Sequence, residues 1–161
     1  MTKAAHYSID TSALIHWWDE AYSPEQVPGL VPHLDALVAA GRLAAVRTVK
    51  DEIFEGELLN WCKKHKKFFV DEGEAVQKLA ADLLAKYPVT SRSIKGADPF
   101  VVALAKHGRD TTDVDWQVVS AEALRGPDKG VSIPRVCVDI GVPHVTFFQM
   151  WKQEGWVVGK K

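Results

Sequence analysis

The stretch "YSIDTSALIHWW", residues 7–18, decides how this chain is read. A short strand-like run ends on Asp10, and Thr11 and Ser12 lead at once into Leu14, Ile15 and Trp18, which fall at helical spacing. A carboxylate at the end of a buried strand loses hydration, and that costs free energy unless a partner offsets it. Asp10 therefore calls for a partner.

Outward from this stretch, apolar segments alternate with short turn-forming breaks. The first helical pattern stops near Pro24, and Leu34, Leu37 and Val38 form a second that Gly41 ends. "RLAAVRTV" (42–49) is a short strand-like run. It feeds a helical stretch, "KDEIFEGELLNWCKKH" (50–65), with Gly56 as a break inside it. "EAVQKLAADLLAKY" (74–87) is the cleanest amphipathic helix, stopped by Pro88. "ADPFVVALAKHG" (97–108) gives another, with Asp98 as N-cap, Pro99 as first helical residue and Gly108 as stop. "WQVVSAE" (116–122) and "HVTFF" (144–148) are short strands, and "FQMWKQEGW" (148–156) closes the chain as a helix. Strands separated by helices imply parallel pairing with helical crossovers, hence an α/β fold: a three-layer α/β/α sandwich with a mainly parallel central sheet. Without repeats or a long linker, residues 1–161 read as a single domain.

Composition narrows the function. Twenty Lys+Arg against twenty-one Asp+Glu leave a net charge of −1, so a polyanion would have to find a local patch. "KKHKK" (63–67) is the only dense basic run; such a run is ordinarily a solvated helix face, and on a nuclease it can guide a phosphate backbone. Cys62 and Cys137 stand apart, without CxxC pairs or zinc spacing, so they read as small core residues in a reducing, cytoplasmic setting. The six histidines lack HxxxH or HExxH spacing and read as surface or packed residues. No GxGxxG, P-loop or GxSxG is present, which removes the dinucleotide, NTPase and common hydrolase readings. The start of the chain has no signal-peptide core, and no apolar run is long enough to span a membrane.

Four carboxylates fall at element edges: Asp10 after the first strand, Glu52 at the start of the helix after the second, Asp98 at the start of a later helix, and Glu122 after the next strand. In open α/β sheets ligands bind outside the carboxyl ends of the strands, so these acids can share one pocket. Clustered carboxylates resist ionising together, and hard oxygen ligands in an incomplete cage suit Mg²⁺ or Mn²⁺. Each acid also has an ordinary reading. Asp98 and Asp10 make good helix caps, and Glu52 and Glu122 are plain solvated side chains. The joint pattern favours the shared pocket.

These residues resemble the PIN-domain nucleases, which include the toxin ribonucleases of bacterial and archaeal toxin-antitoxin pairs. "YSIDTSAL" is similar to that family's first strand, "VKDEI" to the helix bearing its second acid, "ADPFVVALA" to its third motif, and "VVSAE" stands where a strand ending in Thr-x-Asp is usual. The resemblance implies that Asp10, Glu52, Asp98 and Glu122 are catalytic metal ligands, with Ser12 and Ser120 hydrogen-bonding behind them. It implies a Mg²⁺- or Mn²⁺-dependent endoribonuclease that leaves a 5'-phosphate and a 3'-hydroxyl. The implied partners are an RNA substrate and a small antitoxin, with a homodimer as a further expectation and no membrane. Arg92 and Lys95, just before Asp98, are placed to touch the substrate. The chain departs from the family pattern at Ser120 and Glu122, and in a longer tail over residues 127–156. Three rivals stand beside this reading: a PIN-like nuclease that processes cellular RNA or structured DNA, a catalytically silent PIN fold serving as an RNA-binding or assembly module, and a doubly wound phosphatase or receiver-like domain with Asp10 as nucleophile.

Overall fold

Tyr7, Ser8 and Ile9 are all buried, so β1 (His6–Ile9) is covered on both faces, as an inner strand of a parallel sheet is. The computed structural model describes residues 4–53, 56–87, 96–122 and 132–158. Its sheet contains β1, β2 (Leu43–Val46), β3 (Phe69–Val70), β4 (Trp116–Val119) and β5 (His144–Val145), in the order β3-β2-β1-β4-β5. Every neighbouring pair is parallel. Eight α-helices among the described residues flank it: α1 (Thr11–Ile15), α2 (Leu30–Ala39), α3 (Arg47–Asp51), α4 (Glu57–Lys64), α5 (Gly73–Lys86), α6 (Asp98–Thr111), α7 (Ile133–Ile140) and α8 (Phe147–Glu154). The expected α/β/α sandwich is the observed architecture.

Alternation along β1 assigns the two helical layers. Successive side chains of a strand point to opposite faces. Tyr7 sends its hydroxyl to Glu154 of α8, at 2.5 Å, whereas Ser8 donates to the carbonyl of Val101 in α6, at 2.8 Å. On the α8 side, Trp17, in a wide π-type turn (His16–Ala21) that continues α1, stacks on Phe147 and meets Trp61 of α4 edge-on. On the other side, the small buried residues Ala97 and Ala105 let α6 lie close on the sheet, and α5 packs outside it through Val76, Ala80 and Ala103.

Several local expectations are corrected. The strand in 42–49 ends at Val46, and Arg47–Asp51 is already helix. Glu52 is therefore the C-cap of α3, not a helix start. Gly56, at φ 92°, breaks the next stretch as expected, and α4 begins after it. Asp98 is the first residue of α6 while Ala97 holds the cap position, so the capping reading of Asp98 fails. Gly108 does not stop α6, which runs on to Thr111. A Cβ at Gly108 would come within 2.4 Å of the Trp116 ring, so the glycine serves the packing of α6 on β4. β3 and α7 lie in stretches that carried no strand or helix assignment.

Candidate metal centre

The strand order reverses between β1 and β4. The chain runs outward from β1 to β2 and β3, then crosses back to lay β4 and β5 on the other side. At such a switch point the connections leave in opposite directions and open a crevice at the strand ends. Asp10 follows β1 there, and Glu122 follows β4. Asp10 keeps extended backbone (φ −85°, ψ 157°), so it shares a face with Ser8, the face that α6 covers. The first residue of α6 is Asp98. Strand alternation, the switch point and the start of one helix thus bring three acids together.

One carboxylate oxygen from each of Asp10, Asp98 and Glu122 lies within 4.8 Å of the others. Asp10 is 3% exposed, and the remaining two are half-buried. Oδ2 of Asp10 accepts from the Ser12 hydroxyl at 2.7 Å and from the Ser12 N–H at 3.3 Å, which caps α1. Its Oδ1 is buried with no hydrogen-bond partner among the described residues. Burial pushes this carboxyl up to about 6; the Ser12 bonds hold it down in part, and the charges of Glu122 and Glu52 push it further up. Such a group carries a charge only at a cost. A buried acid with one unpartnered oxygen, grouped with two more carboxylates, fits a hard divalent cation such as Mg²⁺ or Mn²⁺.

Glu52 stands beside this trio and outside it. Its Oε1 accepts from the Thr11 hydroxyl at 2.9 Å. Glu122 has a second attachment, because its Oε2 accepts the N–H of Ile133, at the start of α7, at 2.8 Å. Ser12 is placed as expected behind Asp10, and its oxygen also accepts the Ala121 N–H at 3.0 Å, tying the ends of β1 and β4 together. The Ser120 oxygen accepts the Glu122 N–H at 3.3 Å and lies 2.7 Å from Nε2 of His144. Burial pushes that imidazole down to about 4, so it is neutral near pH 7. Arg92 and Lys95 lie outside the described residues. Sequence reasoning missed Thr11, Ile133 and His144 as members of this neighbourhood. Ile133 and His144 carry no local signal, since each joins this neighbourhood only through tertiary contact; Thr11 stands next to Asp10, and only its bond to Glu52 is tertiary.

A family model described as a domain of unknown function (DUF4411) matches residues 7–158, which includes all four acids. The chain belongs to the DUF4411 family. This DUF4411 chain is also 27% identical, over 155 residues and 92% of its length, to the isomerizing glutamine–fructose-6-phosphate aminotransferase of Thermus thermophilus. It spans 23% of that curated relative's length. Among the described residues of the DUF4411 chain, no helix is long and apolar enough to cross a membrane. Both cysteines are free and buried, as expected.

Proposed function

We propose that this DUF4411 chain is a Mg²⁺- or Mn²⁺-dependent endoribonuclease of PIN type, and the toxin of a toxin-antitoxin pair. The observation that carries the reading is the convergence of Asp10, Asp98 and Glu122 at the switch point, with Oδ1 of Asp10 buried and unpartnered. Asp10, Asp98 and Glu122 would hold the cation. When bound, it supplies Lewis acidity toward a phosphodiester oxygen and an orienting centre for in-line hydrolysis. Ser12 holds Asp10 in its rotamer, Thr11 holds Glu52 next to the trio, and Ser120 with His144 fixes the backbone from which Glu122 projects. A cytoplasmic setting goes with this reading. So does silencing by an antitoxin segment that presents an arginine to the carboxylates.

A second reading, a silent PIN-type module that binds RNA, draws on the attachment of Glu122 to Ile133, which spends one carboxylate oxygen on α7. The deciding experiment is RNA cleavage with Mg²⁺ or Mn²⁺ by the parent, Asp10→Asn and Asp98→Asn. The nuclease reading expects cleavage by the parent and at least about a hundredfold loss in each variant, the scale of removing one electrostatic stabiliser of the transition state. Folded parent protein that binds RNA but never cuts it favours the silent module.

A further inference from the structure

A cavity of about 380 Å³ lies beside β3 and is lined by Arg47, Lys50, Cys62, Lys63, Lys66 and Phe69. Four of these six side chains are cationic and none is acidic. That concentration is informative in a chain whose net charge is −1. The lysines come from two separate parts of the fold: Lys50 from α3, Lys63 from the last turn of α4, and Lys66 from the turn that follows. The C-terminal dipole of α4 favours Lys63. It gives no reason for Lys50 and Arg47 to converge on the same space from another helix.

The existing partners leave most of this charge unspent. Arg47 pairs with Asp71 at 2.7 Å, but both side chains are more than half exposed, and such pairs contribute little. Lys50 lies over the ring of Phe69, 6.0 Å from its centroid. Lys63 and Lys66 make no ion pair among the described residues. Cys62 at the wall is a neutral thiol, pushed up to about 12 by burial. The half-buried ring of Phe69 adds an aromatic surface beside the cations. A groove of cations with an aromatic surface is how single-stranded nucleic acid is held without sequence readout: phosphates meet the charges, and a base stacks.

We propose that this recess binds the phosphate backbone of single-stranded RNA, to one side of the acidic centre. As a substrate-holding site it rests on the ribonuclease reading; as a polyanion site it stands on its own geometry. α3 links the two places, since it carries Lys50 at the recess and is followed by its C-cap Glu52, to which Thr11 of the Asp10 neighbourhood donates. Across the sheet, β3 and β1 are separated by one strand, a lateral offset of about 10 Å. A strand seated in the recess has only a few nucleotides to run before it reaches the acids, so the recess would fix where the cut falls relative to the held segment.

The test uses the full chain in EDTA, so that binding is read without cleavage. The probe is a fluorescently labelled 12-nucleotide oligouridylate, titrated at several salt concentrations. The triple variant Lys50→Gln, Lys63→Gln, Lys66→Gln is expected to bind at least tenfold more weakly than the parent. Its plot of log affinity against log salt should be shallower by about 2, near 0.7 for each phosphate that is no longer neutralised. A control triple, Lys78→Gln, Lys86→Gln, Lys152→Gln, removes the same charge elsewhere and should stay within about twofold of the parent, and thermal melts should show all three proteins folded. Equal weakening in both triples overturns the proposal, as does a parent that does not bind or a recess variant that binds like the parent. RNA cleavage with Mn²⁺ is scored separately: a parent that binds through the recess but never cuts removes the nuclease reading and leaves the site, whereas a parent that cuts and ignores the recess substitutions does the reverse.

Discussion

Ser12 joins Asp10 to the opposite strand end: its hydroxyl donates to Oδ2 of Asp10 at 2.7 Å and accepts the Ala121 N–H at 3.0 Å. The residue that steadies the buried acid is therefore also the clasp between β1 and β4. Ser12→Ala should leave the Ala121 N–H and one lone pair of Asp10 without these bonds. A loss of about 1–2 kcal/mol in urea unfolding is expected, together with weaker Mn²⁺ binding by calorimetry. Unchanged metal affinity would separate the clasp from the site.

The acidic trio should make stability depend on divalent cations. Mg²⁺ or Mn²⁺ that binds the folded chain and not the unfolded one raises the melting temperature by mass action. Asp10→Asn combined with Asp98→Asn should abolish that rise. Because the Asp10 carboxyl is pushed up to about 6, binding below that pH must displace a proton, and affinity should fall as the solution is acidified. Calorimetry in two buffers of different ionisation enthalpy reads the released proton.

Without metal, two groups should pull stability in opposite directions with pH. Folded Asp10 titrates near 6 against an ordinary 3.8, so between these values it holds a proton that the unfolded chain has lost, and its contribution falls as pH rises. Folded His144 titrates near 4 against 6.5, so the unfolded chain binds the extra proton and its contribution rises with pH. Asp10→Asn removes only the first effect. From pH 4 to pH 6.5 in EDTA the variant should gain on its parent by roughly 2–3 kcal/mol. Parallel stability curves from urea titrations would contradict the buried, cation-free state of Asp10.

Gly108→Ala tests why α6 carries a glycine in its interior. Helix propensity alone favours alanine by about 1 kcal/mol. The added Cβ would meet the Trp116 ring at 2.4 Å, so the ring or the helix must give way. Net destabilisation of about 1–3 kcal/mol is expected from overpacking. A more stable variant would show that the ring moves freely.

A buried polar knot at the other end of the sheet offers a measurement away from the acids. Glu154 accepts from the Tyr7 hydroxyl and from Arg42 at 2.6 Å, with its side chain 10% exposed. Glu154→Ala strands a largely buried guanidinium and a buried phenol, and should cost about 3 kcal/mol or more. RNA cleavage per folded molecule should stay at the parental level, which distinguishes this loss from one at the acidic centre.

The layered fold and three of the four acids were legible because each sits where a pattern changes period. Asp10 and Glu122 end apolar strands, and Asp98 opens a helix with a regular buried face. Glu52 was misplaced because α3 has five residues, too few to show a helical repeat, so the strand seemed to run through Arg47. β3 is two residues long and follows the basic run, and so it gave no alternation to read. His144 was dismissed as ordinary because its link to Ser120 depends on the register of β5 against β4, in which Val118 pairs with His144 and Val119 with Val145. The Ile133 N–H that holds Glu122 is a tertiary contact with no local trace.

The strand order also sets a clock on the nascent chain. β1 waits beside an open position while β2 and β3 are made, and its other neighbour, β4, arrives more than a hundred residues later. Such pairing between distant segments is slow to form. Asp10 therefore stays without Glu122, and without the Ala121 N–H that completes the Ser12 clasp, until β4 has been made. A chain that stops short of β4 has its first acid and no centre around it, so whatever the finished cluster does begins only once Glu122 is in place.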